Sequence, residues 1–342
     1  MTTQTRIKTG REQWQRTYTL TVNRKGTQQP VLELFGGLYR KPQDSVLGEQ
    51  NSLDMGLNIS FDISKSANIK DKGANSASIE VFNLNREQIA LLNAGKNLHC
   101  TLAVSYGEAT PNNLYSGDVK SVNTRKSGTE FITQILMGDG YTELTETKLK
   151  GMIPPGTTVE QALDQLVKSI PNLSRGSIVG TNLQNPIVSG WRISGKAKDV
   201  LKKFCEEHRI EYTIDSGVFT ATSPNMPSTD NQVMATVISV STGMIDSPFE
   251  ASEDPDKGRK DPRRRRRVQV SALINSEVVP ASLIYIEDTF ITGLFRVNDI
   301  RYSGEYRGDS WLMEIQASEV SATDLDQVAA SKKASNPASQ TA

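Results

Sequence analysis

Cysteine and histidine are scarce in this sequence, and neither sign of charge is in excess. The 342 residues include two cysteines, Cys100 and Cys205, and two histidines. Two cysteines this far apart exclude a disulfide framework and a zinc ribbon, because both need several closely spaced cysteines. The 39 basic and 39 acidic residues cancel. A balanced chain does not have a whole surface built for nucleic acid or anionic lipid.

Motifs of the common catalytic and cofactor sites are also missing. The sequence has no G-x-S-x-G, Walker loop, H-E-x-x-H or dinucleotide glycine pattern. Cys205 and His208 have the i, i+3 spacing of a helical zinc-ligand pair, but no second pair accompanies them, so a packing role is favoured. His99 and Cys100 are neighbours on a predicted strand and should point to opposite faces. We therefore predict no catalytic residue, cofactor or metal ion, and a chain that is not an enzyme.

No stretch of the sequence looks like a membrane span. The uncharged stretch 231–245 is rich in Ser, Thr and Gly and is too short to cross a bilayer. The first residues are basic, but the apolar segment of a secretory signal does not follow them. These features predict a chain that is made and folded in a cytoplasm and is not inserted into a membrane.

Alternating apolar residues dominate the region 1–150. Apolar and polar positions alternate in Leu57–Ile63, Leu98–Tyr106 and Phe131–Met137. This period of two is typical of half-buried antiparallel strands. One helix interrupts them: Asn85 and Gln88 form a predicted capping box, and Gly95 is placed to end the helix in the left-handed conformation. The region is predicted to be a β-barrel or sandwich with one short helix.

Residues 151–228 have a different pattern. The segment Met152–Gly156 contains two prolines and is predicted to be a linker. Thr157–Glu160 is a predicted capping box, followed by apolar residues at helical spacing. A second helix is predicted at about 196–209, and a turn at Asp215–Gly217 separates two strand-like segments. This region is predicted to be a small α+β module.

The alternating pattern returns in residues 229–320, which are predicted to form a second β-barrel or sandwich. A highly charged loop, 251–267, interrupts it. The polar tail 321–342 is low in apolar residues and is not expected to fold by itself. The fold class is therefore mainly β, or α+β overall, with two antiparallel β domains on either side of a small α+β module.

The two β regions share a short sequence repeat. Leu114-Tyr115 is followed by Asp118-Val119-Lys120, and Leu294-Phe295 is followed by Asp299-Ile300-Arg301. In each region a glycine-containing turn and a final strand come next. The spacing differs by one residue, so the pattern is weak evidence of a duplicated unit.

Five consecutive arginines, Arg263, Arg264, Arg265, Arg266 and Arg267, are the most unusual local feature. They could neutralise several phosphates of a nucleic acid. They could also dock against an acidic protein surface or against the acidic residues of their own loop. No aromatic residue is interspersed with the arginines, so base stacking is not indicated. We predict that this run binds a partner protein rather than nucleic acid.

Taken together, the residues resemble the baseplate hub proteins of contractile-tailed bacteriophages, the family of the T4 and Mu-type hubs. In the first region the resemblance lies in IEVFNLNREQIALLNAGKNLHCTLAVSYGE and NLYSGDVKSV. In the last it lies in STGMIDSP, VQVSALINSEVVPASLIYIED and GLFRVNDIRYSGEYRGDSWLMEIQAS, which ends in a hairpin containing Gly308, Asp309 and Trp311. The similarity covers about residues 15–320, and the order of the motifs is more specific than any one of them.

The resemblance implies two tail-tube-like β-barrel domains in each chain and a homotrimeric ring with approximate sixfold symmetry. Such a ring acts as a symmetry adaptor, because it can join a hexameric tail tube to a trimeric central spike. Other baseplate (wedge) proteins and the tape measure protein are further implied partners, and genomic DNA passes through transiently during ejection. The implied location is the tail baseplate of the virion, assembled in the host cytoplasm.

Three alternatives stay open. The chain could be a nucleic-acid-binding protein that uses Arg263–Arg267. It could be a tail-tip cell-wall hydrolase, because some hub relatives carry such a domain, although the middle module shows no paired catalytic residues. It could also be the equivalent protein of a non-contractile tail or of a contractile bacteriocin.

Overall fold

The computed structural model describes residues 15–25, 27, 30–39, 53–69, 74–107, 109–228, 235–250 and 265–335. Strand makes up 51% and helix 18% of the structure, so the predicted mainly β, α+β class is confirmed. The chain divides into two compact units. Unit 1 comprises residues 1–63, 76–138 and 303–311, and unit 2 comprises residues 64–75, 139–302 and 312–342.

The described residues of unit 1 form an antiparallel sheet with one helix. Its strands are β1 (Arg16–Arg24), β2 (Pro30–Tyr39), β3 (Leu53–Met55), β4 (Ile59–Ser66, which continues into unit 2), β5 (Ser76–Phe82), β6 (Leu98–Tyr106), β7 (Asn112–Ser127) and β8 (Glu130–Gly138). The strand order is β4-β5-β8-β7-β6-β1-β2-β3. The alternation predicted from the sequence is present, since Ile59, Phe61 and Ile63 are buried and the residues between them are not. Of the two predicted forms, barrel or sandwich, the described residues show no closed barrel, because this strand order is an open path.

The helix of unit 1, α1 (Arg86–Ala94), has the predicted capping box. The Asn85 side chain accepts a hydrogen bond from the Gln88 amide, and the Gln88 side chain accepts one from the Asn85 amide. The prediction for Gly95 is wrong, because its φ of −71° is not left-handed. The left-handed residue is Asn97, with φ of 53°, two positions later. Gly95 is needed for space instead, because a Cβ there would lie 2.7 Å from the Leu98 side chain.

Unit 2 contains an α+β region with two small sheets. Strands β9 (Lys148–Ile153) and β11 (Trp191–Lys196) form one, and β10 (Ser174–Val179), β13 (Val218–Thr222) and β12 (Glu211–Asp215) form the other, in that order. The helices are α2 (Tyr141–Glu146), α3 (Val159–Lys168) and α4 (Ala197–Glu207). Apolar residues of α3 and α4 share one core with the strands.

Two local predictions in this region need correction. The predicted linker at Met152–Gly156 begins as strand, because Met152 and Ile153 pair with β11 and only the residues after Ile153 turn. The capping box is one residue later than predicted: Thr158 is the N-cap and Gln161 is its partner. The predicted turn at Asp215–Gly217 is present, with left-handed φ at both Ser216 and Gly217.

The remaining strands of unit 2 are β14 (Thr236–Ser239), β15 (Phe249–Glu250), β16 (Arg267–Leu273), β17 (Leu283–Glu287), β18 (Thr292–Glu305) and β19 (Trp311–Glu319). The ends of β18 and β19 belong to unit 1. The strand order is β15-β16-β19-β18-β17-β14. Within it, β16-β19-β18-β17 repeats the order β5-β8-β7-β6 of unit 1, strand for strand along the chain. The residues of the sequence repeat, Asp118 and Asp299, lie on the corresponding strands β7 and β18.

Part of the polar tail is helical and packs against other segments of unit 2, and the expectation that the tail does not fold by itself stays a prediction. Residues Ala322–Ser335 form helix α5. Val328 is 0% exposed and packs with Val179 and Met226, and Leu325 packs with Leu283 and Val320. These few apolar side chains can hold the helix in place because the residues that they pack against come from other segments of unit 2. The domain boundaries at 150, 228 and 320 stay predictions.

In the described part of the chain, no helix combines the length and the apolar character that a membrane crossing requires.

Candidate functional site

The structure places Arg265 and Arg266 directly before strand β16 and Arg267 at its first position. Arg263 and Arg264 lie outside the described residues. Arg265 donates hydrogen bonds to the Asn225 carbonyl oxygen at 3.0 Å and to Asp324 Oδ1 at 2.9 Å. Arg266 pairs through Nε with Glu250. At least two of the five charges are therefore paired within the chain, and partner binding by Arg263–Arg267 stays a prediction.

A cavity of about 360 Å³ lies beside Arg265, and we call it the Arg265 pocket. Its lining residues are Thr181, Asn182, Arg209, Ser223, Pro224, Met226, Arg265, Asp324 and Gln327. They come from loops of the α+β region, from the residues before β16 and from helix α5, all within unit 2. The sequence indicated Arg265 alone. The other lining residues could not be predicted from the sequence, because nothing in their spacing indicates that these segments lie side by side in the fold.

Asp324, which lines this pocket, is held in the ionised form. Burial opposes ionisation, but hydrogen bonds from Ser321 and the charge of Arg265 hold the pKa of Asp324 below its usual value. The Ser321 amide donates to Asp324 Oδ2 at 2.9 Å, and Arg265 occupies Oδ1. Both carboxylate oxygens therefore have donors, and the charges of Arg265 and Asp324 compensate each other.

A second polar cluster lies on strands β6 and β7 of unit 1. Ser116 Oγ is 2.8 Å from His99 Nε2, and His99 Nδ1 is 3.2 Å from Asp118 Oδ1. Lys25 Nζ lies 2.7 Å from the same Asp118 oxygen. The sequence analysis did not identify Ser116 and Asp118 as part of a cluster. The signal that could have indicated it is the period of two, which places residues 116 and 118 on one face of β7 and residues 99 and 101 on one face of β6.

This cluster has the hydrogen-bond order of a serine hydrolase relay but not the rest of such a site. Ser116 lies opposite Thr101 of β6, and the two hydroxyl oxygens are 2.9 Å apart. The Ser116 hydroxyl is therefore shared between His99 and Thr101 and is not paired with His99 alone. Lys25 also compensates the charge of Asp118. The arrangement fits cross-strand polar pairing within a sheet.

The possible zinc pair on α4 takes part in packing instead. Cys205 is fully buried in the core, and the His208 ring lies 4.5 Å from the ring of Phe204. Burial lowers the pKa of His208, with the charge of Glu207 opposing the shift. No group of three potential metal-ligating side chains occurs among the residues that the structure describes.

Buried charges also gather around Asp139 in unit 2. Asp139 accepts hydrogen bonds from the Ser216 and Gly217 amides of the β12–β13 turn. Lys65 Nζ donates to both oxygens of Asp215, at 2.8 and 2.9 Å, and lies 6.0 Å from the centre of the Tyr302 ring. Burial, followed by the charge of Asp215, raises the pKa of Asp139 to about 7.

Comparison of the sequence with models of known protein families finds no match, and neither does comparison with curated proteins. Solved structures do match. The tail protein from Neisseria meningitidis MC58 has a TM-score of 0.58 at 12% identity, covering 91% of this chain and 99% of that one. The 43 kDa tail protein of prophage MuSo2 from Shewanella oneidensis has a TM-score of 0.52 at 10% identity, with the same coverage of both chains.

The E. coli c3393 protein also matches, with a TM-score of 0.54 at 11% identity over 78% of this chain and 74% of that one. It is described as a component of the type VI secretion system with structural similarity to the T4 bacteriophage tail proteins gp27 and gp5. The chain thus shares the fold of these phage tail proteins, and the resemblance to the baseplate hub family is confirmed at the level of the fold.

Proposed function

We propose that this chain is the structural hub protein of a bacteriophage tail baseplate. Three copies would form a ring with approximate sixfold symmetry that joins the hexameric tail tube to the trimeric central spike. Its work would be binding, without covalent chemistry, and genomic DNA would pass through its lumen during ejection. The fold shared with tail proteins supports a structural role in a tail.

The observation that carries this proposal is the repeated strand order. The four strands β5-β8-β7-β6 and the four strands β16-β19-β18-β17 have the same connectivity. Two similar units in each of three chains give six similar units around one axis. A trimer built in this way can present sixfold contacts to a tube and threefold contacts to a spike.

The partners would be the tail tube protein, the central spike protein, other baseplate (wedge) proteins and the tape measure protein. The strands at Leu57–Ile63, Phe131–Met137 and Trp311–Gln316 are expected to build the ring, and Arg263–Arg267 to contact a partner. The protein would be located in the virion baseplate after assembly in the host cytoplasm.

A mass measurement of the purified chain at micromolar concentration tests this function, alone and after mixing with the tube and spike proteins of the same tail. The proposal predicts that the chain forms a trimer, which has three times the 37.6 kDa chain mass. The trimer forms either by itself or in a complex with the tube or the spike protein. A chain that stays monomeric and binds neither protein contradicts it.

The nucleic-acid alternative makes a different prediction. Neutral substitution of all five arginines would abolish DNA binding and flatten its salt dependence. The pairing of Arg265 with Asp324 and of Arg266 with Glu250 favours the structural function over this alternative.

A further inference from the structure

The Arg265 pocket has walls that are fixed before any ligand binds. Asn182 donates through Nδ2 to the His208 carbonyl oxygen and accepts a hydrogen bond from Ser223 Oγ. The Met226 amide donates to the Ser223 carbonyl oxygen at 3.0 Å. Met226 is itself packed in a core with Val179 and Val328. A pocket held in this way loses little conformational freedom when it binds a ligand.

The charge of the pocket is set by Arg209. Arg265 and Asp324 form an ion pair at 2.9 Å, and the second oxygen of Asp324 is bonded to Ser321. The Arg209 side chain is exposed, and within the described part of the chain its guanidinium has no hydrogen-bond or ion-pair partner. The described lining therefore has one uncompensated positive charge, on a planar group with several donors.

A single carboxylate matches this charge and geometry. A guanidinium binds a carboxylate through two parallel hydrogen bonds. A doubly charged phosphate would keep one negative charge that the described lining does not compensate. The exposed Pro224 offers apolar contact to the methylene groups of a side chain that carries the carboxylate.

We propose that the Arg265 pocket binds the side-chain carboxylate of a glutamate from a partner protein. This inference rests on the proposed function, because it takes the occupant from another protein of the tail. It assigns a binding role to Arg209, which the sequence did not indicate.

The test uses the full chain with ¹³C-labelled methionine methyl groups, because Met226 lines the pocket and its methyl resonance reports occupancy. A Met226→Leu variant assigns that resonance. The probes are N-acetyl-glutamate α-amide, the matching glutamine compound and inorganic phosphate. The glutamate probe is expected to shift the Met226 resonance saturably, with an affinity about tenfold above that of the neutral glutamine probe.

Arg209→Gln is expected to weaken binding of the glutamate probe about tenfold. The matched control is Arg192→Gln, which alters an exposed arginine of β11 outside the pocket and should leave the affinity unchanged. Thermal unfolding of both variants checks that they are folded. Equal binding of the two amide probes, tighter binding of phosphate, or full binding by folded Arg209→Gln would overturn the inference.

The outcome is separable from that of the proposed function. If the glutamate probe binds but no trimeric ring forms, the pocket inference stands and the proposed hub function fails. If the ring forms but the probe does not bind, the hub function stands and the pocket inference fails.

Discussion

The guanidinium of Arg296 on β18, only 2% exposed, donates a 2.8 Å hydrogen bond to the carboxylate of Glu211 at the start of β12. The same group donates to Thr222 at 3.3 Å and to Asn298 at 2.9 Å. These residues lie on both sides of the predicted domain boundary at 228. This buried ion pair joins the α+β region to the second β region, and both regions lie in one compact unit.

Replacing Arg296 with alanine should destabilise unit 2, because the partly buried Glu211 would lose its cation. The expected loss in the free energy of unfolding is about 3 kcal/mol. Chemical denaturation measures it, with Arg192→Ala on exposed β11 as the matched control. If both variants lose the same stability, the Arg296–Glu211 pair does not join these segments.

Asp139 should make stability depend on pH. Its pKa in the folded chain is raised from 3.8 to about 7, chiefly by burial. Between these two values the folded state binds more protons than the unfolded state, so this group's contribution to stability falls as the pH rises and is constant above about 7. Asp139→Asn removes the titration.

Thermal unfolding from pH 5 to pH 8 checks this dependence. As the pH rises, the Tm of the natural chain should fall relative to the Tm of Asp139→Asn. A difference that is constant over the window would show that Asp139 titrates normally. Histidine titrations are common to both chains and cancel in the comparison.

Gly304 in unit 1 is required for space. A Cβ at this position would lie 2.3 Å from the Phe61 ring and 2.9 Å from Trp311, whose rings pack edge to face with centres 5.1 Å apart. Gly304→Ala should cost about 1–3 kcal/mol of stability through overpacking. Gly151→Ala is the control, because its nearest neighbour would be an ordinary 3.7 Å contact. Equal stabilities of the two variants, by chemical denaturation, would refute the steric argument.

Helix α5 should depend on Val328. Its side chain is fully buried against Val179 and Met226, so Val328→Ala removes apolar contact and is expected to cost about 1–3 kcal/mol. Asp326→Ala, on an exposed position of the same helix, should change little. Hydrogen exchange of the α5 amides reports the effect locally. Unchanged protection in Val328→Ala would mean that the helix is held by other contacts.

Local patterns in the sequence predicted much of the fold, and contacts across the chain explain what they missed. Strand alternation and the Asn85 capping box depend on neighbouring residues, so both were predictable. Lys65 and Asp215 are 150 positions apart and Arg296 and Glu211 are 85 apart, so no local pattern could pair them. Helix α5 was missed because its core partners lie in other segments. Arg209 was missed because a single exposed arginine is not distinctive.

The central claim is that a duplicated four-strand unit lets three chains present sixfold contacts. An electron cryo-microscopy map of the assembled ring, in the tail or reconstituted with its tube protein, tests it most directly. The account predicts three chains, with strands β5–β8 and β16–β19 alternating at one radius and about 60° apart around the axis. Three chains whose two strand sets lie at different radii, or a chain count other than three, would contradict it.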